Sequence, residues 1–184
     1  AAYSFSRYHF KWGNNLMILM LATRLLPPVT AVVPLYLMFR YLNLLDTKTL
    51  LILIYTAIEI PFATWLMKAF FDAIPKELEE SAAIEGCNPI QTIFKITMPL
   101  ASSGIAATSI FVFILAWNEF MFAFMFTSIK VRTIPVRLTE TIGEMQVFWQ
   151  EMATLATIIM LPALLIGIFM QKYLVSAITE GAVK

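Results

Sequence analysis

The chain has 184 residues, of which 60% are hydrophobic and 14% are charged, and its mean hydropathy is +0.79. A soluble domain carries roughly 45–50% apolar and about 25% charged residues, and a chain of this size cannot hide so much apolar surface inside one globule. We therefore expect a membrane protein. The net charge of +1 gives no field to attract nucleic acid, and one cysteine with one histidine provides neither an intrachain disulfide nor a structural zinc site.

Four stretches are long and apolar enough to cross a membrane as helices, since a crossing needs roughly 20 residues. They lie at about 16–39, 50–71, 105–126 and 152–173. Because none shows the alternation of a membrane β-barrel, the sequence predicts an all-α membrane protein. Prolines are expected to interrupt and kink these helices, at Pro27-Pro28, Pro34, Pro61 and Pro162.

The ends of the chain and the loops between the stretches say little about orientation. The chain opens AAYSFSRYHFKW, without an initiating Met or a signal-peptide pattern, and we expect it to be part of a longer protein. Lysines and arginines flanking 1–14, 72–100 and the C-terminus outnumber those of 40–49 and 127–151 by seven to five. This excess favours a cytoplasmic location for the first set only weakly.

Several polar residues lie within the apolar stretches, where a charge costs roughly 2.5–3.5 kcal/mol and so needs a partner or a wet cavity. Glu59 and the run Trp117-Asn118-Glu119 are candidates for a substrate path, because carboxylates, amides and aromatic faces suit hydroxyl groups and C–H surfaces. The alternative is hydrogen bonding between helices, including a salt link to Arg24. We favour the path for Glu59 and the structural role for Asn118 and Glu119.

The 72–100 segment, here called the acidic loop, carries signals for two short helices. Pro75 and the glutamates after it suit a helix N-terminus, and Gly86 suits the left-handed position after a helix. Asn88, Pro89 and Gln91 then form a capping-box pattern. The second helix is expected to run to about Met98, before Pro99.

A solvated linker between spans would need neither these paired caps nor a surface of small residues. Small side chains allow close approach of another backbone, and four of them cluster here: Ser81, Ala82, Ala83 and Gly86. The pattern therefore favours a docking role over a linker.

The spacing Glu80-Ser81-Ala82, Gly86, Ile96 and Pro99 resembles the EAA loop of bacterial ABC importer permeases. All spacings of that pattern are kept, and the departures include Ser81 for alanine and Met98 for leucine. The stretches LATRLLPPVTAVVPLYL, YTAIEIPFATWLMKAFFDAIPKELEE, FVFILAWNEFMFAF and EGAVK are similar to the maltose-type sugar permeases, more narrowly to the six-span subunit of the pair.

This resemblance implies a type I ABC transporter transmembrane domain over 1–184, a fragment with four transmembrane helices and a coupling-helix loop. Two preceding spans would lie outside the chain, and Ala1–Phe10 would end the second of them. It implies a bacterial or archaeal inner-membrane protein with the acidic loop and the C-terminus in the cytoplasm.

The resemblance also assigns contacts and partners. The acidic loop would seat in a cleft of a cytoplasmic ATPase through Glu80, Ser81, Ala82, Ala83, Glu85, Gly86, Cys87 and Asn88. The tail from Ala177 to Lys184 would reach the same ATPase pair, and the 127–151 loop would meet an extracytoplasmic substrate-binding protein. A second permease subunit would complete a heterodimer. The chain has no G-x-x-x-x-G-K-[ST] phosphate-binding sequence, so ATP would be bound by the partner.

Two other functions remain open at this stage. An ion-coupled secondary transporter could use Glu59 and Glu119 as titrating carboxylates, but it leaves the capped acidic loop unexplained. An intramembrane enzyme would need a nucleophile and a base within the spans, which one histidine and one cysteine in loops do not supply. The prediction is a sugar permease without catalysis, bound cofactor or metal.

Overall fold

The computed structural model describes residues 1–143 and 147–182, with side chains up to residue 168. The described chain is helical, with a 3₁₀ turn at Thr23–Leu25 and a π-helical turn at Ile93–Thr97. Its α-helices are, in chain order, α1 (Ala2–Arg7), α2 (Gly13–Ala22), α3 (Pro28–Tyr41), α4 (Lys48–Asp72), α5 (Lys76–Ile84), α6 (Pro89–Thr92), α7 (Met98–Leu100), α8 (Ser102–Trp117), α9 (Met121–Phe126), α10 (Ile134–Thr139) and α11 (Trp149–Ala182). The all-α prediction is therefore confirmed.

The four predicted spans do not all form single unbroken helices in the described part of the chain. Two helical stretches are long and apolar enough to cross a membrane unaided, α4 and the Trp149–Ile168 part of α11. Two further spans qualify only as broken pairs, Gly13–Leu25 with Pro28–Tyr41 and Pro89–Leu100 with Ser102–Trp117. The second pair is bent by 76°.

Proline acts differently at different positions. Pro27-Pro28 separates α2 from α3, because proline lacks an N–H and restricts the residue before it. At Pro34, Pro61 and Pro162 no helix ends, because α3, α4 and α11 each continue through the proline. Apolar helices tolerate such residues in lipid because neighbouring groups can satisfy the freed carbonyls.

The third predicted span, 105–126, is wrong at its C-terminal end. The helix stops at Trp117, and Met121–Phe126 forms the separate helix α9. Asn118 and Glu119 cause the break, because their side chains bind backbone groups at the two adjacent helix ends. The Asn118 amide donates to the carbonyl of Ile114 at 2.8 Å. The Glu119 carboxylate accepts backbone N–H groups at the start of α9.

The chain divides into two compact units, each with its own core. The first unit contains Ala1–Ala22, Ile60–Val112 and the chain from Met170. Its core packs Phe71, Ile74 and Ala101 against Tyr3 and other partly buried residues.

The second unit contains Thr23–Glu59 and Phe113–Phe169. Its core joins α3, α4, α9 and α10, with Phe126 2% exposed at the centre of an aromatic group. Phe126 lies 6.1 Å from Phe39 and 6.3 Å from Tyr36, measured between ring centroids. Outside this core, the Trp149–Ile168 part of α11 exposes its apolar side chains, as expected for a helix in lipid.

Candidate functional site

The first half of the acidic loop is α5, which ends in the glycine elbow that the sequence predicts. Gly86 has a φ of +89°, a value that side chains with a Cβ rarely adopt. Its N–H donates to the Ala83 carbonyl at 3.1 Å, and the Cys87 N–H donates to the Ala82 carbonyl at 3.0 Å. These two bonds form a Schellman motif, which satisfies carbonyls left free at a helix end.

The second half begins with the predicted capping box, which is confirmed. The Gln91 N–H donates to Asn88 Oδ1 at 2.9 Å, and the Asn88 N–H donates to Gln91 Oε1 at 3.0 Å. Beyond α6 the helix widens into the π-helical turn, a feature that the sequence analysis did not anticipate. Local hydrogen bonds thus fix both halves of the loop and the elbow between them.

Glu79 anchors this loop to α1, a role that the sequence analysis missed because it treated Glu79 only as a charge near a helix N-terminus. Its carboxylate accepts hydrogen bonds from Tyr3 Oη at 2.9 Å, from Arg7 Nε at 2.9 Å and from Thr97 Oγ1 at 3.0 Å. The side chains of Arg7 and Glu79 are only 7% and 13% exposed. Arg7 also donates to the carbonyl of Ile74 at 3.0 Å. A buried ion pair with additional donors therefore holds the inner side of the loop.

The opposite side of the loop is open in the isolated chain. The exposed residues include six of the eight that resemblance assigned to ATPase contact, which are Glu80, Ser81, Ala83, Glu85, Gly86 and Asn88. Apolar side chains lie among them, with Ile84 87% exposed, Ile90 67% and Phe94 65%. Exposed aliphatic and aromatic groups beside carboxylates are typical of a surface that a protein partner covers.

The two remaining assigned residues differ from this pattern. Ala82 is 3% exposed and packs inward, so its place in the predicted small-residue surface is wrong. It lies three positions from Glu79, on the face of α5 that turns toward the anchor. Cys87 is partly buried and has a free thiol.

Glu59 is paired with Arg24, so the salt link to Arg24, which was the alternative to a substrate path, forms at this residue. Arg24 donates to the two carboxylate oxygens at 3.2 and 3.4 Å, and Glu59 is 9% exposed. The pairing offsets the cost of a charge within an apolar helix.

The backbone hydrogen bonds of Asn118 and Glu119 lie within their own segment, although the Glu119 carboxylate also lies near the Tyr55 hydroxyl of α4. The Glu119 carboxylate accepts the N–H groups of Phe122 at 2.8 Å and of Ala123 at 3.1 Å, so it caps the start of α9. Residues that satisfy helix ends in this way are expected wherever a span is broken inside a membrane. The structural interpretation of this pair agrees with these contacts.

Trp117 has a different environment from its two neighbours. Its indole N–H donates to the Ile159 carbonyl at 3.1 Å, and its ring stacks on Phe113 at 5.6 Å. It lines a cavity of about 310 Å³ in the second unit, together with Tyr55, Phe113, Ala116, Arg132, Thr133, Ile134 and Pro135. A substrate path through Glu59, Trp117, Asn118 and Glu119 stays a prediction.

Asp46 is a further organising residue that sequence reasoning missed. Its carboxylate accepts hydrogen bonds from the backbone of the 128–131 turn, which lies more than 80 residues away in the chain. The N–H groups of Ser128, Lys130 and Val131 hold the pKa of Asp46 well below its usual range. A short polar run before α4 is the only sequence signal, and it is explained by Thr47, whose hydroxyl accepts the Leu50 N–H.

These contacts show which loops share an end of each unit. Tyr3 and Arg7 bring the 1–14 segment to the acidic loop, and Asp46 brings the 40–49 segment to the 127–151 loop. Both pairings match the predicted alternation of the loops across a membrane. No cluster of three or more metal-ligating side chains occurs in the described part of the chain.

Comparison with known proteins identifies the family of this chain. The chain belongs to the binding-protein-dependent transport system inner membrane components, a family that its residues 1–180 match.

Two relatives and one solved structure illustrate the likeness. The chain is 35% identical over 185 residues to the sulfoquinovosyl glycerol transport system permease protein SmoH of Agrobacterium fabrum, covering 100% of the chain and 65% of that protein. It is 33% identical over 186 residues to the trehalose/maltose transport system permease protein MalG of Thermococcus litoralis, covering 100% and 67%.

The solved structure is a bacterial ABC transporter involved in the import of the acidic polysaccharide alginate. The TM-score is 0.68 at 25% identity, over 94% of this chain and 65% of that one. The chain thus spans about two thirds of the length of the proteins that it matches.

Proposed function

We propose that the chain forms most of a permease subunit of an ATP-driven importer for a sugar or oligosaccharide. The family supports this substrate class, and so do the substrates in the names of the relatives, which are sulfoquinovosyl glycerol, trehalose and maltose. In this proposal the chain itself performs no catalysis, and a separate cytoplasmic subunit binds and hydrolyses ATP.

The observation that carries the proposal is the two-sided acidic loop. Its inner side is fixed by the buried Arg7–Glu79 pair, while its outer side exposes Glu80, Glu85 and Ile84. Transmission of force from an ATPase requires an element that is rigid and also accessible. A solvated linker would have neither the buried anchor nor the exposed apolar side chains.

The proposed assembly contains a second permease subunit, two cytoplasmic ATPase subunits and an extracytoplasmic substrate-binding protein. The acidic loop and the C-terminal tail would face the cytoplasm of a bacterial or archaeal cell, and the 127–151 loop would face outward. Val183 and Lys184, at the end of the predicted tail contact, lie outside the described residues.

Co-purification tests the coupling role. The full-length protein, expressed with its genomic neighbours, should retain an ATPase subunit identified by its mass and its ATP hydrolysis. The double variant Glu80→Arg, Gly86→Val should lose it. The valine would meet no neighbouring atom within 4 Å of its Cβ but would be strained at a φ of +89°, and it would occupy space that the partner needs.

Glu151→Arg is the matched control, since it reverses an equally exposed charge outside the acidic loop. It should retain the ATPase. Retention of the ATPase by the double variant would show that coupling does not use this loop. If the wild-type protein retained no ATPase, the importer proposal itself would fail.

Labelling of Cys87 tests the orientation. In a full-length protein whose other cysteines are replaced, a membrane-impermeant maleimide should reach Cys87 from the cytoplasmic side only. Labelling from outside would reverse the proposed topology.

The ion-coupled alternative makes the opposite prediction about the energy source of transport. Transport that survives ATP depletion and stops when the ion gradient collapses would favour it. The geometry does not, because Arg24 occupies the Glu59 carboxylate and two backbone N–H groups occupy Glu119.

A further inference from the structure

Asp46 holds the 128–131 turn with a set of hydrogen bonds that uses both of its carboxylate oxygens. Oδ1 accepts the N–H groups of Ser128 at 2.9 Å and of Val131 at 3.1 Å. Oδ2 accepts the N–H groups of Ile129 at 3.1 Å and of Lys130 at 2.9 Å, together with the Ser128 hydroxyl at 3.1 Å. Five donors thus converge on one side chain.

This arrangement requires a carboxylate. An amide at position 46 would keep one acceptor oxygen but would direct an NH₂ group at backbone N–H donors, which cannot accept it. The Asp46 backbone is itself fixed, since its N–H donates to the Phe126 carbonyl at 2.9 Å and its φ is +58°. Asp46 therefore holds the turn from both its start and its interior, and the Arg132 guanidinium adds one contact by donating to the Ser128 carbonyl.

The turn presents an apolar side chain that its own unit does not cover. Ile129 is 84% exposed, although its N–H is bound to Asp46. It is flanked by the exposed cations Lys130 and Arg132. An exposed isoleucine on a turn fixed by five hydrogen bonds loses little conformational entropy on binding, so the turn is preorganised for a partner.

We propose that Asp46 is the positioning residue that shapes the 128–131 turn for docking of the substrate-binding protein, with Ile129 as the apolar contact. The inference rests on the proposed function, because it takes the binding protein as the occupant of this side. It adds that the affinity of the binding protein for the transporter depends on Asp46, a side chain that does not itself touch the binding protein.

The experiment uses the full-length transporter in lipid with its ATPase and purified binding protein. The rate of ATP hydrolysis is measured as the concentration of binding protein rises, giving a half-maximal concentration and a maximal rate. Asp46→Asn should raise the half-maximal concentration about tenfold at an unchanged maximal rate, since a disordered turn must be ordered on docking. Asp46→Glu should recover part of the loss, and Ile129→Ser should resemble Asp46→Asn.

Glu151→Gln is the matched control, because it removes one exposed negative charge from the same loop while leaving the hydrogen bonds to Asp46 in place. Its half-maximal concentration should equal that of the wild type. An unchanged value in Asp46→Asn, or a lower maximal rate alone, would overturn the inference.

Loss of assembly with the ATPase in Asp46→Asn would also overturn it, since Asp46 would then support the whole fold and not one turn. A wild-type transporter that the binding protein does not stimulate would instead overturn the proposed function.

Discussion

Glu79 in the first unit and Asp46 in the second each bind a loop to a distant segment, but their surroundings differ. Glu79 is 13% exposed and binds a guanidinium and two hydroxyl groups, whereas Asp46 is partly exposed and binds mostly backbone N–H groups. A carboxylate removed from water needs a counter-charge, while one at the surface needs only well-placed donors. Loss of the first leaves a buried cation, but loss of the second leaves N–H groups that water can reach.

The largest effect is therefore expected at the buried pair. Glu79→Ala leaves Arg7 without its carboxylate partner, and breaking such a pair costs about 3–5 kcal/mol. Thermal unfolding of the full-length protein in detergent measures the loss. Glu80→Ala, one residue further along the same helix but exposed, should change the stability by less than about 0.5 kcal/mol. Equal losses in both variants would contradict the role of burial.

A close contact between α4 and α8 comes next. A Cβ added at Gly104 would lie 2.2 Å from Phe70 Cγ and 2.7 Å from its Cβ. These atoms are near the backbone and cannot swing away, so Gly104→Ala should destabilise by about 1–3 kcal/mol through overpacking. Gly167→Ala provides the control, because its added Cβ meets nothing within 4 Å. The same unfolding measurement should show no loss there.

The capping box should contribute less to stability than either the Arg7–Glu79 pair or the Gly104–Phe70 contact. Asn88→Ala removes the side-chain acceptor of the Gln91 N–H and should cost about 1 kcal/mol. Asn88→Asp keeps the acceptor and should cost little. Hydrogen exchange at the Gln91 amide measures the local change directly, and equal protection in both variants would show that the cap is redundant.

The smallest effect is expected from pH at Asp46. Because its pKa lies below the ordinary value of 3.8, its contribution to stability is complete above that pH and is lost only as the pH falls further. Hydrogen exchange of the 128–131 amides, corrected for intrinsic rate, should show constant protection from pH 5 down to pH 3. Protection that declines as the pH passes through 3.8 would mean that Asp46 titrates normally.

Local signals in the acidic loop were sufficient to predict its glycine elbow and its capping box, although not the π-helical turn. Gly86 adopts the left-handed conformation and Asn88 pairs with Gln91 as the residue pattern indicates. Each of these features depends on hydrogen bonds that span only a few residues, and such bonds depend on residue type and spacing alone. The all-α character follows equally directly from the length and hydropathy of the stretches.

The third span shows where the sequence pattern was insufficient. The 105–126 stretch is long and apolar enough for one crossing, and the polar pair Asn118-Glu119 within it does not by itself predict a break. The break depends on whether two polar side chains bond their own backbone or a neighbouring helix. Hydropathy does not distinguish these alternatives, since both satisfy the same groups.

By itself, the sequence determined the helical membrane class, the capped double helix of the acidic loop and the family motif that it carries. Only the tertiary structure decided that Glu79 turns inward while Glu80 stays exposed, that Ala82 is buried, and that Asp46 holds a turn more than 80 residues away. Glu79 and Glu80 are the same residue type and have the same local helix propensity. Their roles differ because Arg7 and Thr97 come from distant parts of the chain, and such contacts exist only after the chain has folded.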